Sequence, residues 1–173
     1  ITTIPVTVNP IPTSTFSITQ ADCYGDDATL TYTGTAGSNA SYNWDFAGGN
    51  AMPGTGIGPQ FVNYTNPGNY TVSLSVTENG CTSTTTSEQI TYPEELAAAV
   101  TGTDVQCYGD GNGSADLTVS GGTPGYTYNW SNGTTSEDLN NVGGNTYNVV
   151  VTDLNGCSVT AYVTITEPNQ IVL

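Results

Sequence analysis

One short acidic segment contains the side chains that are best suited to bind a metal ion. In the stretch DGNGSAD, Asp110, Asn112, Ser114 and Asp116 place a side-chain oxygen at every second position. This spacing suits Ca²⁺, a hard cation that takes about six to eight oxygen ligands. Calcium loops with this spacing close on a glutamate, whereas Gly121 stands at that position here. Two interpretations stay open: a partial Ca²⁺ site completed by other loops or by water, or a polar turn that leads into a strand.

The four cysteines follow a repeated pattern. The sequence Cys-Tyr-Gly-Asp occurs twice, and so does the sequence Asn-Gly-Cys. Because each repeat contains one cysteine of each kind, the pattern predicts the pairs Cys23–Cys81 and Cys107–Cys157, each linking two loops at one end of a unit. Such disulfides imply an oxidising compartment, either the cell envelope or the outside of the cell. The alternative is four reduced cysteines in the core.

The charged residues exclude several classes of function. The chain has no Lys, Arg or His, so its net charge is −15. Catalytic pairs that need a basic side chain cannot be built, and the adjacent acids Asp26-Asp27 and Glu94-Glu95 would point to opposite faces of a strand. We therefore predict no enzyme and no required cofactor. Nothing can neutralise phosphates, which argues against nucleic acid, and no apolar run is long enough to insert into a membrane.

Short strands must position these residues, because apolar and polar side chains alternate along several segments. Tyr70, Val72, Leu74 and Val76 share one strand face, and the stretch TYNVVVT repeats that alternation. Gly and Asn cluster between such segments. The pattern predicts an all-β protein with two tandem immunoglobulin-like β-sandwich domains in an extended array. The stretch PEELAAAV at 93–100 is compatible with either a helix or a first strand.

Four aromatic residues are predicted to belong to the core. Trp44 and Trp130 each lie in a strand, and a strand tryptophan in a small sandwich is usually a core residue. Tyr70 and Tyr147 each open the penultimate strand of a unit, where a tyrosine corner would lie. The alternative is an exposed aromatic strip that stacks on sugars.

A recurring phrase marks the domain boundaries. The segments VTVNP, ITYPE and ITEPN place prolines at 10, 93 and 168. We predict that 1–10 is the end of a preceding repeat or a linker strand, and that the two sandwiches occupy 11–93 and 94–168. We predict that 169–173 is the start of a following repeat.

The first repeat resembles a polycystic-kidney-disease (PKD) domain. The resemblance rests on YNWDF at 42–46 and on the strand entry formed by Pro67, Gly68, Tyr70 and Val72. It implies an immunoglobulin-type β-sandwich and does not imply a catalytic activity.

The second repeat is similar to the SprB-type repeat of gliding-motility adhesins in the Bacteroidota. The motifs that carry this similarity are Cys107-x-Gly109, Gly121-Gly122-x-Pro124, Tyr128-x-Trp130-Ser131 and Val151-Thr152-Asp153-x-x-Gly156-Cys157. The two resemblances imply a giant modular cell-surface protein of the kind exported by the type IX secretion system.

The leading hypothesis is therefore a stalk or filament segment of a large secreted bacterial adhesin. Its expected partners are neighbouring repeats of the same chain or of identical chains, and surface polysaccharide. Two alternatives stay open: a subunit of an extracellular polymer joined by strand exchange, and a carbohydrate-binding module.

Overall fold

The computed structural model describes residues 8–172, which form two compact units of strands, turns and loops. The first unit contains Gly25–Tyr92 and the chain before Asp22, and the second contains Asp22–Tyr24 and the chain from Pro93 onward. Of the strand predicted at 1–10, residues 1–7 lie outside the described residues, and residues 8–10 are not in a strand. In the predicted following repeat, the described residues up to Val172 carry no strand.

The first unit is a sandwich of two antiparallel sheets. Its strands are β1 (Phe16–Thr19), β2 (Ala28–Tyr32), β3 (Ser41–Asp45), β4 (Asn50–Met52), β5 (Gln60–Asn63), β6 (Gly68–Glu78), β7 (Cys81–Thr82) and β8 (Thr86–Tyr92). One sheet has the order β1-β2-β5-β4. In the other, the long strand β6 pairs with β3 on one side and with β7 and β8 on the other.

The second unit is built in the same way from fewer strands. They are β9 (Ala97–Thr103), β10 (Gly113–Ser120), β11 (Thr127–Trp130), β12 (Leu139–Val142), β13 (Asn145–Thr152) and β14 (Ser158–Ile165). One sheet has the order β12-β10-β9 and the other β11-β13-β14, and every pairing is antiparallel. The all-β, immunoglobulin-like sandwich prediction is confirmed for both units.

Alternation along the long strands places the two cores. Val72, Leu74 and Val76 of β6 are fully buried, whereas the residues between them are partly exposed. The same period of two is present in β13, as the sequence pattern predicted, and also in β14. Each unit therefore has its own hydrophobic core. Buried side chains of the first core include Leu30, Leu74, Ile90, Val62 and Tyr64, and those of the second include Trp130, Leu139, Ile165, Val149 and Val151.

Both predicted tyrosine corners are present. The hydroxyl of Tyr70 donates to the carbonyl oxygen of Asn66 at 2.9 Å, and that of Tyr147 donates to the carbonyl oxygen of Gly143 at 3.0 Å. In both cases the acceptor lies four residues upstream of the tyrosine. The corner thus ties the loop before β6 or β13 to the start of the strand, which fixes where the strand begins.

The segment with two interpretations, 93–100, contains the start of a strand. Residues 97–103 form β9, which pairs along its whole length with β10. Ala98 and Val100 pack against the core of the second unit. The helix preference of alanine is overridden because β9 completes a sheet. Within residues 8–172 no helix is long and apolar enough to span a membrane.

Candidate functional site

The most elaborate polar site in the second unit surrounds the buried carboxylate of Asp153. Its Oδ2 accepts the backbone N–H of Thr123 at 2.8 Å, and its Oδ1 accepts those of Asn155 and Cys157 at 3.0 and 2.9 Å. The side chain is 5% exposed. These hydrogen bonds fold the Asn-Gly-Cys turn between β13 and β14, and so determine where Cys157 lies.

The same contacts set the ionisation of Asp153. Burial raises the pKa of this carboxyl, but hydrogen bonds from the backbone N–H groups of Thr123, Cys157, Asn155 and Gly156 outweigh that effect and lower it below its ordinary value. Asp153 is therefore held as a carboxylate, which is the form that accepts all of these donors.

The turn positions Cys157 for a disulfide bond with Cys23. The two residues are 134 apart in sequence, with a Cα–Cα distance of 5.7 Å. Cys23 lies in the segment 22–24, which groups with the second unit. Next to the bond, the side-chain amide of Asn155 donates to the carbonyl oxygen of Asp22 at 3.2 Å. Cys81 and Cys107 are free.

The predicted pairing within each repeat is therefore wrong, and strand geometry gives the reason in the first repeat. Strand β6 has eleven residues and spans about 33 Å at ~3.3 Å per residue. Gly68, at its start, pairs with Tyr92, whose hydroxyl accepts the N–H of Gly25. Cys81 pairs with Glu78 at its other end. A disulfide requires Cα atoms within about 7 Å, so Cys23 and Cys81 cannot meet.

The second repeat separates its cysteines in the same way. Cys157 directly precedes β14, whose eight residues span about 25 Å. Cys107 belongs to the other end, because the N–H of Val105 donates to the carbonyl oxygen of Thr166 at 3.0 Å. The carboxylate of Asp104 accepts the N–H of Thr166, a hydrogen bond that lowers the pKa of Asp104. The expectation that the two cysteine loops of a repeat lie at one end is corrected: the strands between them place them at opposite ends of the repeat.

A cleft borders the disulfide within the second unit. Its volume is about 430 Å³. Four of its lining residues are acidic, and no described residue can supply a positive charge. They are Asp22, Glu94, Glu95 and Asp153. In the described part of the chain, no group of three or more Cys, His, Asp or Glu side chains is arranged to hold a metal ion.

Comparison with protein families assigns both repeats. A family model described as a PKD domain matches residues 8–92, and one described as the SprB repeat matches residues 99–135. The chain carries a PKD domain followed by a SprB repeat. The PKD match contains Cys23 and Cys81, whereas the SprB match contains Cys107 and stops before Cys157.

The comparison with solved structures also returned matches to the chain. An amphioxus IgVJ-C2 molecule is 13% identical, with 83% of this chain and 98% of that chain covered and a TM-score of 0.39. The full ectodomain of mouse nectin-like molecule 4 is 11% identical, with 94% and 67% covered and a TM-score of 0.37. No curated protein matches the chain.

In the SprB repeat, the four residues of the predicted calcium segment do not play equivalent parts. The side-chain oxygen of Asn112 accepts the N–H of Gln106 at 3.1 Å, which closes the loop after Cys107. Ser114 and Asp116 lie two apart on β10, so they share a strand face, and Asp116 is exposed. Asp110 lies in the loop before them and is also exposed. Calcium binding at this segment stays a prediction.

The aromatic residues predicted for the core are all packed, but to different depths. Trp130 and Tyr147 of the SprB repeat are 2% and 7% exposed, and the Trp130 indole donates to the carbonyl oxygens of Ser136 and Glu137. In the PKD domain, Trp44 and Tyr70 are half-buried against the core. Trp44 and Phe16 form an edge-to-face pair with ring centroids 5.1 Å apart. Both tryptophans therefore pack in or against a hydrophobic core, which disfavours the sugar-stacking alternative.

Two structural residues were not singled out from the sequence. Asp153 lies in a SprB motif, and its position before Asn-Gly-Cys is the one signal that it would close a turn. Gln60 is fully buried in the PKD domain. Its amide accepts the N–H of Gly54 and donates to the carbonyl oxygens of Thr55 and Gly56, which holds the glycine-rich loop before β5. No sequence signal marked that role.

Proposed function

We propose that this chain is a load-bearing repeat segment of a secreted bacterial cell-surface adhesin. The families to which its repeats belong are typical of surface proteins of the adhesin type. The observation that carries the proposal is the disulfide Cys23–Cys157, which closes a covalent loop over 134 residues. A bond of this kind persists in an oxidising environment and limits how far a pulled chain can extend.

The surface chemistry supports the same role. The net charge is −15 without any cation, so neighbouring segments repel one another and resist clumping. The chain also lacks every residue after which trypsin-like proteases cleave. Within this proposal, the SprB repeat points to the gliding-motility adhesins, with export by the type IX secretion system and neighbouring repeats as partners.

Localisation can be tested on the bacterium that produces the protein. An antibody raised against residues 8–172 is expected to label intact cells, and proteinase K treatment of intact cells is expected to remove the label. Trypsin is a matched control, because the chain offers it no cleavage site. Labelling that appears only after the cells are permeabilised would contradict the proposal.

Adhesion can be tested with the same reagent. Monovalent fragments of the antibody are expected to reduce attachment of the cells to a surface, because they cover the segment without crosslinking it. If attachment is unchanged at a saturating concentration of the antibody fragment, the segment acts as a spacer, and the proposal that it takes part in adhesion is refuted.

A further inference from the structure

Each repeat carries its Cys-Tyr-Gly-Asp loop next to the place where the chain leaves the unit. In the PKD domain, the N–H of Gly25 donates to the hydroxyl of Tyr92 at 3.0 Å. In the SprB repeat, the N–H of Gly109 donates to the carboxylate of Glu167. Tyr92 and Glu167 each directly precede the boundary proline of their repeat. The two loops are thus held by the same backbone donor at the same position in the repeat.

Each repeat carries its Asn-Gly-Cys turn next to the place where the chain enters the unit. The thiol of Cys81 lies 3.8 Å from the carbonyl oxygen of Asn9, and the side-chain amide of Asn9 donates to the carbonyl oxygen of Asn79. Asn9 directly precedes the boundary proline Pro10. In the SprB repeat, Cys157 lines one cleft together with its entry residue Pro93.

The disulfide Cys23–Cys157 therefore joins two different cysteine types from two consecutive repeats. It joins the Cys-Tyr-Gly-Asp cysteine of one repeat, Cys23, to the Asn-Gly-Cys cysteine of the next, Cys157. The two cysteines left over are one of each kind, Cys107 and Cys81. Cys107 is exposed and Cys81 is partly exposed.

We propose that Cys107 and Cys81 each form a further disulfide between consecutive repeats, with the same order of cysteine types as in Cys23–Cys157. Cys107 bonds to the cysteine of an Asn-Gly-Cys turn in the module that follows, and Cys81 bonds to a Cys-Tyr-Gly-Asp cysteine in the module that precedes. The array is then a ladder in which each module is covalently tied to the next twice, by the backbone and by a disulfide. The proposal rests on the cysteine positions and not on adhesion.

The backbone near the free cysteines Cys107 and Cys81 resembles that near the bonded cysteines Cys23 and Cys157 at one glycine in each loop. Gly109 has φ +83° where Gly25 has +93°, and Gly80 has +80° where Gly156 has +90°. The glycine in each of these loops thus has the same left-handed φ as its counterpart beside the formed bond.

The hydrogen bond beside the formed disulfide also has a counterpart. There, the amide of Asn155 donates to the carbonyl oxygen of Asp22. Asn79 stands at the position of Asn155 in its repeat, and Gln106 stands at the position of Asp22. An Asn79 amide that donates to the Gln106 carbonyl oxygen of another module would recreate this contact.

The chemistry is thiol–disulfide exchange with a disulfide oxidant. The Cys107 thiolate attacks the oxidant and forms a mixed disulfide, which releases one thiolate of the oxidant. The thiolate of the partner cysteine then attacks the Cys107 sulfur and releases the second. Two protein thiols lose two protons and two electrons, and the oxidant is reduced to two thiols.

The test uses two copies of the chain fused in register, so that Ile11 of the second copy directly follows Pro168 of the first. The purified protein is equilibrated with oxidised and reduced glutathione. Free thiols are then counted by mass after maleimide labelling in denaturant, and bonds are mapped in peptic digests. Of eight cysteines, the proposal expects two free thiols, Cys81 of the first copy and Cys107 of the second.

Matched variants identify the new bond. Cys107→Ser in the first copy is expected to raise the count from two free thiols to three, because it frees Cys81 of the second copy. Cys107→Ser in the second copy removes a thiol that is free in any case, and is expected to lower the count to one. The Cys23–Cys157 bond in each copy reports that the units have folded.

Two outcomes would overturn the proposal. Four free thiols with both Cys23–Cys157 bonds formed would mean that Cys107 and Cys81 do not meet. A Cys107 bond to any cysteine other than Cys81 of the second copy would mean that pairing does not follow the repeat. Neither outcome bears on cell-surface labelling, so failure here is distinguishable from failure of the proposed function.

Discussion

At the scale of single residues, Asp153 does the most to shape the SprB repeat around its cysteine. A carboxylate can accept on both oxygens at once: Oδ2 of Asp153 accepts from Thr123, and Oδ1 accepts from Asn155 and Cys157. An amide in its place would present one oxygen and one NH₂ group, which only donates. With the oxygen facing Asn155 and Cys157, the amide N–H would oppose the N–H of Thr123.

We expect Asp153→Asn to lower the free energy of unfolding of the SprB repeat by about 2 kcal/mol at neutral pH, because a buried donor loses its acceptor. Urea unfolding followed by tryptophan fluorescence measures this through Trp130, which lies in that core. The matched control is Asp116→Asn, which removes an equal charge from an exposed position. Equal stability of the two variants would contradict the assigned role.

The lowered pKa of Asp153 also predicts a dependence on pH. Because the pKa is lower in the folded than in the unfolded chain, the stabilisation is complete above the unfolded value of about 4 and is lost as pH falls through the folded value. The stability gap between wild type and Asp153→Asn is therefore expected to narrow on acidification below about pH 4. Urea unfolding at a series of pH values checks this, and a gap that stays constant would refute it.

Gln60 has the corresponding part in the PKD domain. We expect Gln60→Leu to destabilise that domain by about 2–3 kcal/mol, because it leaves the N–H of Gly54 and two loop carbonyl oxygens without their partner. Gln89→Leu, at an exposed position of β8, is the matched control and is expected to change little. Thermal unfolding of each variant provides the measurement. If Gln89→Leu destabilised the domain as much as Gln60→Leu does, the loss of stability could not be assigned to the hydrogen bonds of Gln60.

At the scale of strands, the tyrosine corners connect loop geometry to sheet register. Each hydroxyl ties its strand to a carbonyl oxygen four residues upstream, and both strands lie at the centre of their sheets. The phenol ring supplies packing, and the hydroxyl supplies the single hydrogen bond that fixes the loop. The two contributions can therefore be separated by removing the hydroxyl alone.

We expect Tyr70→Phe and Tyr147→Phe each to lower the free energy of unfolding of their own unit by about 1 kcal/mol, since each removes one hydrogen bond and keeps the ring. Tyr162→Phe is the control, because Tyr162 is 70% exposed on β14. Chemical denaturation of the three variants is the test. A Tyr162→Phe effect as large as the other two would show that the corner hydrogen bonds add nothing.

At the scale of the whole molecule, the disulfide determines how much chain can be stretched. A force applied to the termini passes through the Cys23–Cys157 bond, and the 134 residues of separation between the two cysteines are spared. Unfolding of either core then adds no length from that loop. In an adhesin stalk this would limit extension under load, because opening of the cores could lengthen the tether only by the residues outside the loop, among them β1 and β14.

We expect single-molecule pulling to show this directly. Reduction of the bond should add about 450 Å of contour length, at ~3.3–3.6 Å for each of 134 residues. Cys81→Ser with Cys107→Ser serves as the background, because it removes the free thiols and keeps the bond. Adding Cys23→Ser to that background should give the long extension without reductant. An unchanged contour length on reduction would contradict the prediction.

The amino-acid sequence by itself determined the strands, the two cores and the families. Alternation of apolar and polar residues is a local property, so it predicted which residues of β6 and β13 face inward. The positions of Trp130 and of the two tyrosine corners followed from the same pattern. Alanine-rich β9 was ambiguous, because its pairing with β10 is not local.

Only the tertiary structure decided the disulfide. Repetition in the sequence shows which cysteines are equivalent, but it does not show at which end of a sandwich each loop lies. That depends on the direction and length of the strands between them: β6, about 33 Å long, separates the cysteine loops of the first repeat, and β14, about 25 Å long, separates those of the second. Cys23 therefore bonds to the equivalent of its expected partner in the next repeat, Cys157. The ring of donors around Asp153 escaped sequence reasoning for the same reason, because Thr123 reaches it from a distant loop.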